Sequence, residues 1–343
     1  MAWGRIVRLE ARNSEGVQVD VSALRIDARC VRSRVFANNE LEATIFNANE
    51  STINKFLQRG TNVALYAGYE DEGTPGLMYQ GNIIDSKTYR QGSDTLTVVR
   101  SMALRSLSRP FTATPVCLSF EPGKTASDVI ESIGALLGLV PIGKEMAAEV
   151  KFEGGWTYVG PVSGAMKRLG QDLRPAGIGL YVDLAELVVF KYSGDSTYTM
   201  AFISKETGLL SLQNTTDYIS AAHSNLDSLA SKLASYNQAV AEAKSSKKKV
   251  LSSKKKVLSS KKKVLKPNDP DDVYAYLDGI FKNMKKTYSA RTVVMPKLRP
   301  NSLVHLSDKS QGVDGLFVVD QMEVAVGNGK DSSFAMDLNL VEA

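Results

Sequence analysis

The spacing of apolar residues divides the chain into strand-rich and helical stretches. Residues 24–28 and 41–45 alternate cleanly between apolar and polar side chains, which is the period of a half-buried strand. The other short apolar runs of this region, each bounded by turn residues, are 6–9, 17–21, 63–69, 77–84 and 95–99. A short helix from Asn49 or Ser51 to Phe56 interrupts them. Six or seven such strands predict a small barrel or sandwich in residues 1–108.

A change of period predicts an α+β middle domain over residues 109–195. Its expected elements are a helix from Thr125 to about Gly138, a helix capped by Ser163 that ends before Pro175, and a hairpin at 179–183 and 187–190. We therefore expect this stretch to be a small α+β domain between the two strand-rich regions.

Strands resume after Tyr198 and are interrupted by a helical stretch. The predicted strands are 199–203, 208–212, 292–295, 303–306, 316–326 and 334–340. Residues 196–217 and 290–343 therefore form a second predicted β-barrel, and residues 218–289 form a helical insertion, which costs little loop entropy. The predicted fold class is mainly β, with an α+β middle domain, two similar small β-barrels and a long helical insertion.

The insertion carries a heptad pattern in two parts. Apolar residues first recur at alternating spacings of three and four, the rhythm of a coiled-coil seam, at Leu226, Leu229, Leu233, Tyr236 and Val240. The sequence SSKKKVL then occurs three times over residues 245–265. It keeps the phase with Val250, Val257 and Val264 but puts Lys247, Lys254 and Lys261 at the alternate core position.

This unbroken phase predicts one helix from 219 to 266, a break at 267–269 and a shorter helix to about Lys286. The 48 residues of the first helix would span about 70 Å, too long to fold back into a compact domain. A helix of that length must project from the protein or pack against other subunits. The pattern therefore indicates an assembly component rather than a free enzyme.

The charge of the chain is concentrated in this repeat. Hydrophobic residues make up 43% and charged residues 23% of the chain, as in ordinary soluble globular proteins. Residues 244–266 hold 11 lysines and no acid, and removing these charges from the formal net charge of +5 leaves −6 on the rest. The protein is thus a mildly acidic body with one cationic segment.

Three interpretations of the lysine segment remain open. It is a solvated helix held by its Val/Leu seam, a contact for acidic surfaces of neighbouring assembly proteins, or a contact for DNA or an anionic membrane surface. The repeat contains no Arg, aromatic or base-reading side chain, so we expect no sequence-specific nucleic-acid recognition.

Residues suited to catalysis or metal binding are scarce. The only histidines are His223 and His305, and no phosphate-binding loop or Ser-His-Asp order occurs. We therefore expect no catalytic, metal or cofactor site. Cys30 and Cys117 lie in apolar strand-like runs and are expected to be buried free thiols, with a disulfide between them left open.

The chain shows no signal for a membrane or for secretion. Its first residues lack a secretory apolar region, and no stretch reaches the roughly 18 apolar residues that a spanning helix needs. We expect no stable membrane insertion, and a cytoplasm-like compartment unless the protein is carried out as part of something larger.

Three stretches, taken in order, resemble a known family. They are residues 41–47 with 60–68 and 76–83, the TGL turn within 206–210, and the P-x-L-x-P strand entry at 296–306. Together they resemble the baseplate hub proteins of contractile-tailed phages, the late control protein D kind, which are related to the N-terminal part of type VI secretion spike proteins. Asn301 stands where the family usually has Gly, and Asn also tolerates positive φ.

This resemblance implies a scaffold without an active site. Such a hub is a homotrimer whose two barrels per chain form a pseudo-sixfold ring, matching the hexameric tail tube protein on one face and the trimeric central spike protein on the other. The resemblance also implies other baseplate proteins and the tape measure protein as candidate neighbours, with DNA passing through the channel without sequence-specific binding. The implied location is the virion tail baseplate, assembled in the host cytoplasm.

A different class of function remains open beside the hub. The chain could be a standalone nucleic-acid-binding or peptidoglycan-active barrel protein that uses the lysine-rich helix. A hub should be trimeric and co-purify with tail particles, whereas a nucleic-acid-binding protein should bind DNA with a steep salt dependence.

Overall fold

A computed structural model describes residues 4–34, 39–103, 115–192, 198–216 and 285–343. Most of these residues lie in strands, which confirms the prediction of a mainly β protein. Residues 1–214 and 288–343 form one compact unit, and residues 215–287 form another, of which only the two ends are described.

The first strand set follows the alternation predicted from the sequence. Its elements are β1 (Arg5–Arg12), β2 (Gln18–Asp20), β3 (Ile26–Ser33), β4 (Glu40–Phe46), α1 (Glu50–Phe56), β5 (Asn62–Tyr69), β6 (Gly76–Gln91) and β7 (Asp94–Met102). In space the strands are ordered β2-β1-β5-β6-β7-β4-β3. Asn49 caps α1, as expected, because its side chain accepts a hydrogen bond from the Thr52 N–H at 2.7 Å.

The middle stretch has a helix-and-strand composition and two small sheets. Its elements are β8 (Pro115–Phe120), α2 (Ala126–Leu137), β9 (Val140–Ile142), β10 (Trp156–Pro161), α3 (Val162–Leu173), β11 (Ile178–Asp183) and β12 (Glu186–Lys191). Strand β10 pairs with β8, and β12 lies between β11 and β9. The start of α2 after Thr125 and its end at Gly138, which has a φ of 67°, are confirmed.

The predicted cap of the second helix is wrong. Helix α3 begins at Val162, directly after Pro161, the last residue of β10. Ser163 is therefore its second residue rather than its cap. Val162 is buried in the core of the middle stretch, so the start of this helix coincides with a packing contact that a local capping signal does not report.

The second strand set follows. Its strands are β13 (Tyr198–Ile203), β14 (Leu209–Asn214), β15 (Thr287–Thr292), β16 (Ser302–Asp308), β17 (Val313–Gly327) and β18 (Phe334–Glu342). The predicted strand at 292–295 is wrong, since β15 ends at Thr292 and Val294 turns into the core, where its N–H donates to the Tyr69 hydroxyl at 3.3 Å. The shorter predicted helix lies outside the described residues except for Lys285 and Lys286, which are not helical.

Strand β17 joins the two strand sets into one sheet. Its first residues pair with β16, and residues 321–327 pair with 27–33 of β3, Val324 opposite Cys30. Strand β18 covers its other edge. The described strands of both sets thus form one 13-stranded sheet, and their pairings form no closed ring.

Five strands in each set repeat one arrangement. The first set is ordered β3-β4-β7-β6-β5 and the second β14-β15-β18-β17-β16, with the same order along the chain. The longest strand of each set has a register shift at the same place, between Ile83 and Asp85 in β6 and between Val319 and Gln321 in β17. Both shifts follow the last residue that pairs with the preceding strand, Asn82 or Val318.

Two large and separate hydrophobic cores lie within the compact unit, besides one small cluster of three buried residues. One draws buried side chains from both strand sets, including Leu9, Ile45, Val304 and Met336. The other lies wholly in the middle stretch and contains Trp156. The two strand sets are therefore one packing unit, and the middle stretch has a core of its own.

The predicted insertion leaves and re-enters the sheet between neighbouring strands. Strands β14 and β15 pair antiparallel, with Asn214 opposite Tyr288. This position corresponds to the short β3–β4 connection in the first strand set. The predicted long helix itself lies outside the described residues.

Candidate assembly surfaces

The site residues predicted from the sequence all lie in one stretch that the structure does not describe. They are the seam residues Leu226, Leu229, Leu233, Tyr236 and Val240, and the repeat residues Lys247, Val250, Lys254, Val257, Lys261 and Val264. Their grouping on one helix stays a prediction. The described residues instead present three other features on which an assembly could act.

The first feature is a row of charged side chains on the exposed face of the sheet, across the junction of the strand sets. Arg29 donates to Glu323 of β17, through Nη2 at 2.7 Å and also through Nε. On β4, Glu42 lies directly opposite Arg29 and accepts from the Arg100 Nε at 2.8 Å. The hydrogen bond and charge of Glu323 raise the pKa of Arg29 above its ordinary value.

These exposed ion pairs contribute little to stability. Such pairs are each worth less than about 1 kcal/mol, because water screens them and the long side chains lose entropy. What the row provides is a hydrated sheet face that carries both signs of charge. Such a face suits a water-filled space or a polar partner better than an apolar contact.

The second feature is a buried ion pair that holds the middle stretch against the sheet. Arg32 of β3 donates to both carboxylate oxygens of Asp183 at the end of β11, with Nε to Oδ1 at 2.8 Å, and both side chains are fully buried. Burial alone would lower the pKa of Arg32, but the charge of Asp183 and its hydrogen bonds raise it above the ordinary value. A bidentate Arg–carboxylate pair fixes orientation as well as distance.

Polar contacts from the same hairpin surround this ion pair. The Tyr181 hydroxyl donates to the Pro300 carbonyl at 2.8 Å, and Asn39 Nδ2 donates to the Val182 carbonyl at 3.2 Å. At the rim, Arg299 and Glu186 form an ion pair of 2.7 Å. The β11–β12 hairpin is thereby attached to residues of both strand sets near the place where they join.

The third feature is an exposed apolar row on β13, β16 and β17. Phe202 lies opposite His305, and His305 lies opposite Leu316, so that three neighbouring strands contribute to one row. Phe202 and Leu316 are about half exposed, and Met200 of β13 is 60% exposed. The His305 ring is tilted against that of Phe202 with ring centroids 5.1 Å apart, and Asp314 lies 3.1 Å from its Nε2. Exposed apolar side chains grouped in this way are typical of a contact surface.

Several acidic and aromatic side chains of the middle stretch have structural roles. Asp128 accepts from the Thr125 N–H at 2.9 Å and completes the cap of α2, and these hydrogen bonds hold the pKa of its carboxyl below the ordinary value. Glu131 pairs with Lys144 at 2.9 Å. Trp156 packs in the core of the middle stretch. Within the described residues no cluster of His, Cys, Asp and Glu could hold a metal ion.

The two cysteines differ from each other. Both are free thiols; Cys30 is buried, as expected, but Cys117 is exposed, so that part of the prediction is wrong. Cys117 lies on β8 of the two-stranded β8–β10 sheet, where alternate side chains face solvent. Burial raises the pKa of the Cys30 thiol to about 12.

The sequence did contain a signal for the buried ion pair. Ile26, Ala28, Cys30 and Arg32 share one phase of the β3 alternation, and the first three are apolar. A charge in the buried phase requires a partner of opposite sign. The partner, Asp183, is 151 residues away and could not be identified from periodicity.

No helix of the described residues is long and apolar enough to cross a membrane. No protein-family model matches the chain, and no curated protein does. Solved structures share its fold at low sequence identity. A tail protein from Neisseria meningitidis MC58 is 12% identical, with a TM-score of 0.58 over 99% of this chain and 97% of that one.

Two further structures extend this likeness. The 43 kDa tail protein of prophage MuSo2 from Shewanella oneidensis is 10% identical, with a TM-score of 0.56 over 99% of this chain and 98% of that one. An Escherichia coli type VI secretion component, itself similar in structure to the T4 tail proteins gp27 and gp5, is 10% identical, with a TM-score of 0.54 over 93% of this chain and 73% of that one. At these identities the likeness is one of fold.

Proposed function

We propose that the chain is a structural hub of a contractile phage tail baseplate. In this role three copies form a ring that adapts the hexameric tail tube to the trimeric central spike. The observation that carries the proposal is the repeat of one five-strand arrangement within a single sheet. A chain with two equivalent strand sets presents six similar units when three copies assemble, which relates threefold to sixfold symmetry.

The fold comparisons support the tail setting of this proposal. Two solved tail proteins cover nearly the whole chain and are themselves nearly wholly covered by it. The division into domains at 1–108, 109–195, 196–217 with 290–343, and 218–289 belongs to the same proposal. So do its partners, namely the tube, the spike, other baseplate proteins and the tape measure protein.

The mechanism of such a hub is geometric rather than catalytic. The hydrated charged row around Arg29 and Glu42 suits a face that lines a passage for DNA, because alternating charges give no sequence-specific contact. The apolar row around Phe202 and Leu316 suits a protein contact. The buried pair of Arg32 and Asp183 sets the angle between the middle stretch and the sheet.

Deleting the gene from the phage or prophage tests the role in assembly. We expect no contractile particles without it, and restored particles that contain the chain on complementation. Complete particles that lack the chain would contradict the proposal. Light scattering of the purified protein tests the trimer. If the chain is absent from particles and binds DNA in a gel-shift assay with an affinity that falls steeply with salt, the nucleic-acid-binding alternative is favoured.

The lysine repeat belongs to the proposal as a contact for acidic neighbours. Replacing Lys247, Lys254 and Lys261 with Glu reverses three charges in the repeat, and we expect fewer assembled particles. Replacing the same residues with Gln is the matched control, since it removes charge without adding repulsion and should have the smaller effect. Normal assembly with the Glu variant would leave the repeat as a solvated helix without a contact role.

A further inference from the structure

The internal repeat gives each strand edge an equivalent in the other strand set. One pair of equivalent edges is joined within the chain, and the other pair is not. Residues 321–327 of β17 lie beyond the β17 register shift and pair with β3. Their counterparts beyond the β6 register shift are residues 85–91, which pair only with β7 in the described part of the chain. The counterpart of β3 is β14, which ends the strand order of the sheet among the described strands.

We infer that residues 85–91 of one copy pair antiparallel with β14 of a second copy, repeating between chains the junction that β17 and β3 make within one chain. The inference rests on the proposed ring and names the contact that would build it. It commits to a second copy because β14 is the repeat counterpart of β3, the strand that pairs with the equivalent edge of β17.

The segment 85–91 has the properties of an exposed edge strand. All its residues are at least partly exposed, and Tyr89 is 50% exposed. Gln91 and Asp94 flank a two-residue turn, so their backbone groups face each other, and those of Thr88 and Arg90 face the edge away from β7. An exposed row of backbone donors and acceptors is a template for strand addition.

The edge of β14 also has a backbone carbonyl that accepts a hydrogen bond from a side chain. The Leu212 carbonyl of β14 accepts a hydrogen bond from the side chain of Gln311 at 2.9 Å, and Gln311 is exposed. A backbone N–H of a neighbouring strand can replace this amide at little cost, because the side chain can turn into water. The contact would be heterologous, since two different edges meet, and such contacts close into rings when the rotation allows it.

The repeat also gives the register. The two register shifts place Tyr89 at the position of Ala325, which lies opposite Arg29. Leu41 and Tyr288 are the first buried residues of β4 and β15, and they lie opposite Cys30 and Asn214. Gln213 therefore corresponds to Arg29, and the expected partners across the interface are Tyr89 and Gln213.

A disulfide tests this register in the full-length protein. The variant carries Tyr89→Cys and Gln213→Cys in a Cys117→Ser background. Residues that lie opposite each other in a non-hydrogen-bonded antiparallel pair have Cα atoms about 4.5 Å apart, which is within disulfide range. On oxidation we expect covalent dimers and larger rings on denaturing gels, and none with either single variant. Arg29→Cys with Ala325→Cys in the same background is the positive control, and oxidation should block both introduced thiols to maleimide without forming covalent dimers.

A pair of substitutions at one position tests the backbone contact independently. Thr88→Pro removes an N–H that faces the open edge, whereas Thr88→Val keeps it, and both lose the same hydroxyl. We expect Thr88→Val to assemble like wild type and Thr88→Pro to stay monomeric in light scattering. Circular dichroism and melting establish that Thr88→Pro is folded, and if it is not, the cross-link decides.

The outcomes separate this inference from the proposed function. Assembled protein without a cross-link, or folded Thr88→Pro that assembles normally, would overturn the strand pairing and leave the hub intact. A specific cross-link in rings that contain a number of copies other than three would support the pairing and overturn the trimer. A wild-type chain that stays monomeric at every concentration and is absent from particles would overturn both.

Discussion

Gly60 and Asn301 occupy the same position in the two halves of the sheet. Each has a positive φ, 95° and 65°, and each precedes the strand that enters the repeat, β5 or β16. The N–H of each donates a 2.7 Å hydrogen bond to the carbonyl at the register shift, Ile83 for Gly60 and Val319 for Asn301. The same turn thus fixes the long strand in both halves, with glycine in one and asparagine in the other.

The left-handed backbone at Asn301 predicts an unequal response to two small substitutions. Asn301→Gly should change the free energy of unfolding by less than about 1 kcal/mol, since glycine adopts positive φ without strain. Asn301→Ala should cost about 1–2 kcal/mol more, because alanine keeps the Cβ that crowds the carbonyl in this conformation but lacks the short polar side chain that lets asparagine adopt it. Denaturant unfolding of both variants measures the difference, and equal losses would contradict the role of backbone conformation.

The buried pair of Arg32 and Asp183 predicts a large loss when one partner is removed. Asp183→Asn leaves a buried guanidinium without its counter-charge, and we expect it to cost about 3–5 kcal/mol in free energy of unfolding. The control is Glu42→Gln, which breaks an exposed pair with Arg100 and should cost less than about 1 kcal/mol. The double variant Arg32→Met with Asp183→Leu should be more stable than Asp183→Asn, and the reverse order would refute the argument.

The cap of α2 predicts a dependence on acid. The folded-state pKa of Asp128 is lowered, so its contribution is present above the ordinary carboxyl value of about 4 and is lost as pH falls through the folded value. Asp128→Asn should therefore be less stable than wild type at neutral pH, and the difference should shrink below about pH 4. Thr125→Ala should cost about 1 kcal/mol. Melting curves at several pH values check both, and a constant difference would contradict the linkage.

The cysteines predict a simple labelling pattern. A maleimide should modify one cysteine in the native protein, because Cys117 is exposed whereas Cys30 is buried with its pKa raised to about 12. Cys117→Ser should abolish native labelling, and denaturation of wild type should expose two thiols to the reagent. No labelling of unreduced, denatured protein would instead indicate the disulfide that the sequence left open.

Local signals in the sequence predicted much of the fold, and non-local contacts account for the rest. The helix at Thr125–Gly138, the cap at Asn49 and the positive φ at Asn301 all follow from residue types acting on neighbouring backbone. The outer half of β6 was missed because residues 85–91 have no buried side, and alternation reports burial rather than strand formation.

The candidate surfaces were less predictable than the elements that carry them. The sheet continues from one strand set to the other because β17 pairs with β3, across almost 300 residues of chain. Strand periodicity gives no partner, so two separate barrels were the natural expectation. The row of Phe202, His305 and Leu316 also arises only when three strands take their register.

The direct opposition of Asn214 and Tyr288 makes the segment between them exchangeable. Because the chain leaves and returns at neighbouring strands, a short turn would close the sheet as well as a long segment does. Duplications at this point can accumulate without shifting the register of any strand. The three identical copies of SSKKKVL lie in this segment, whose length can change with its partners while the sheet stays constant.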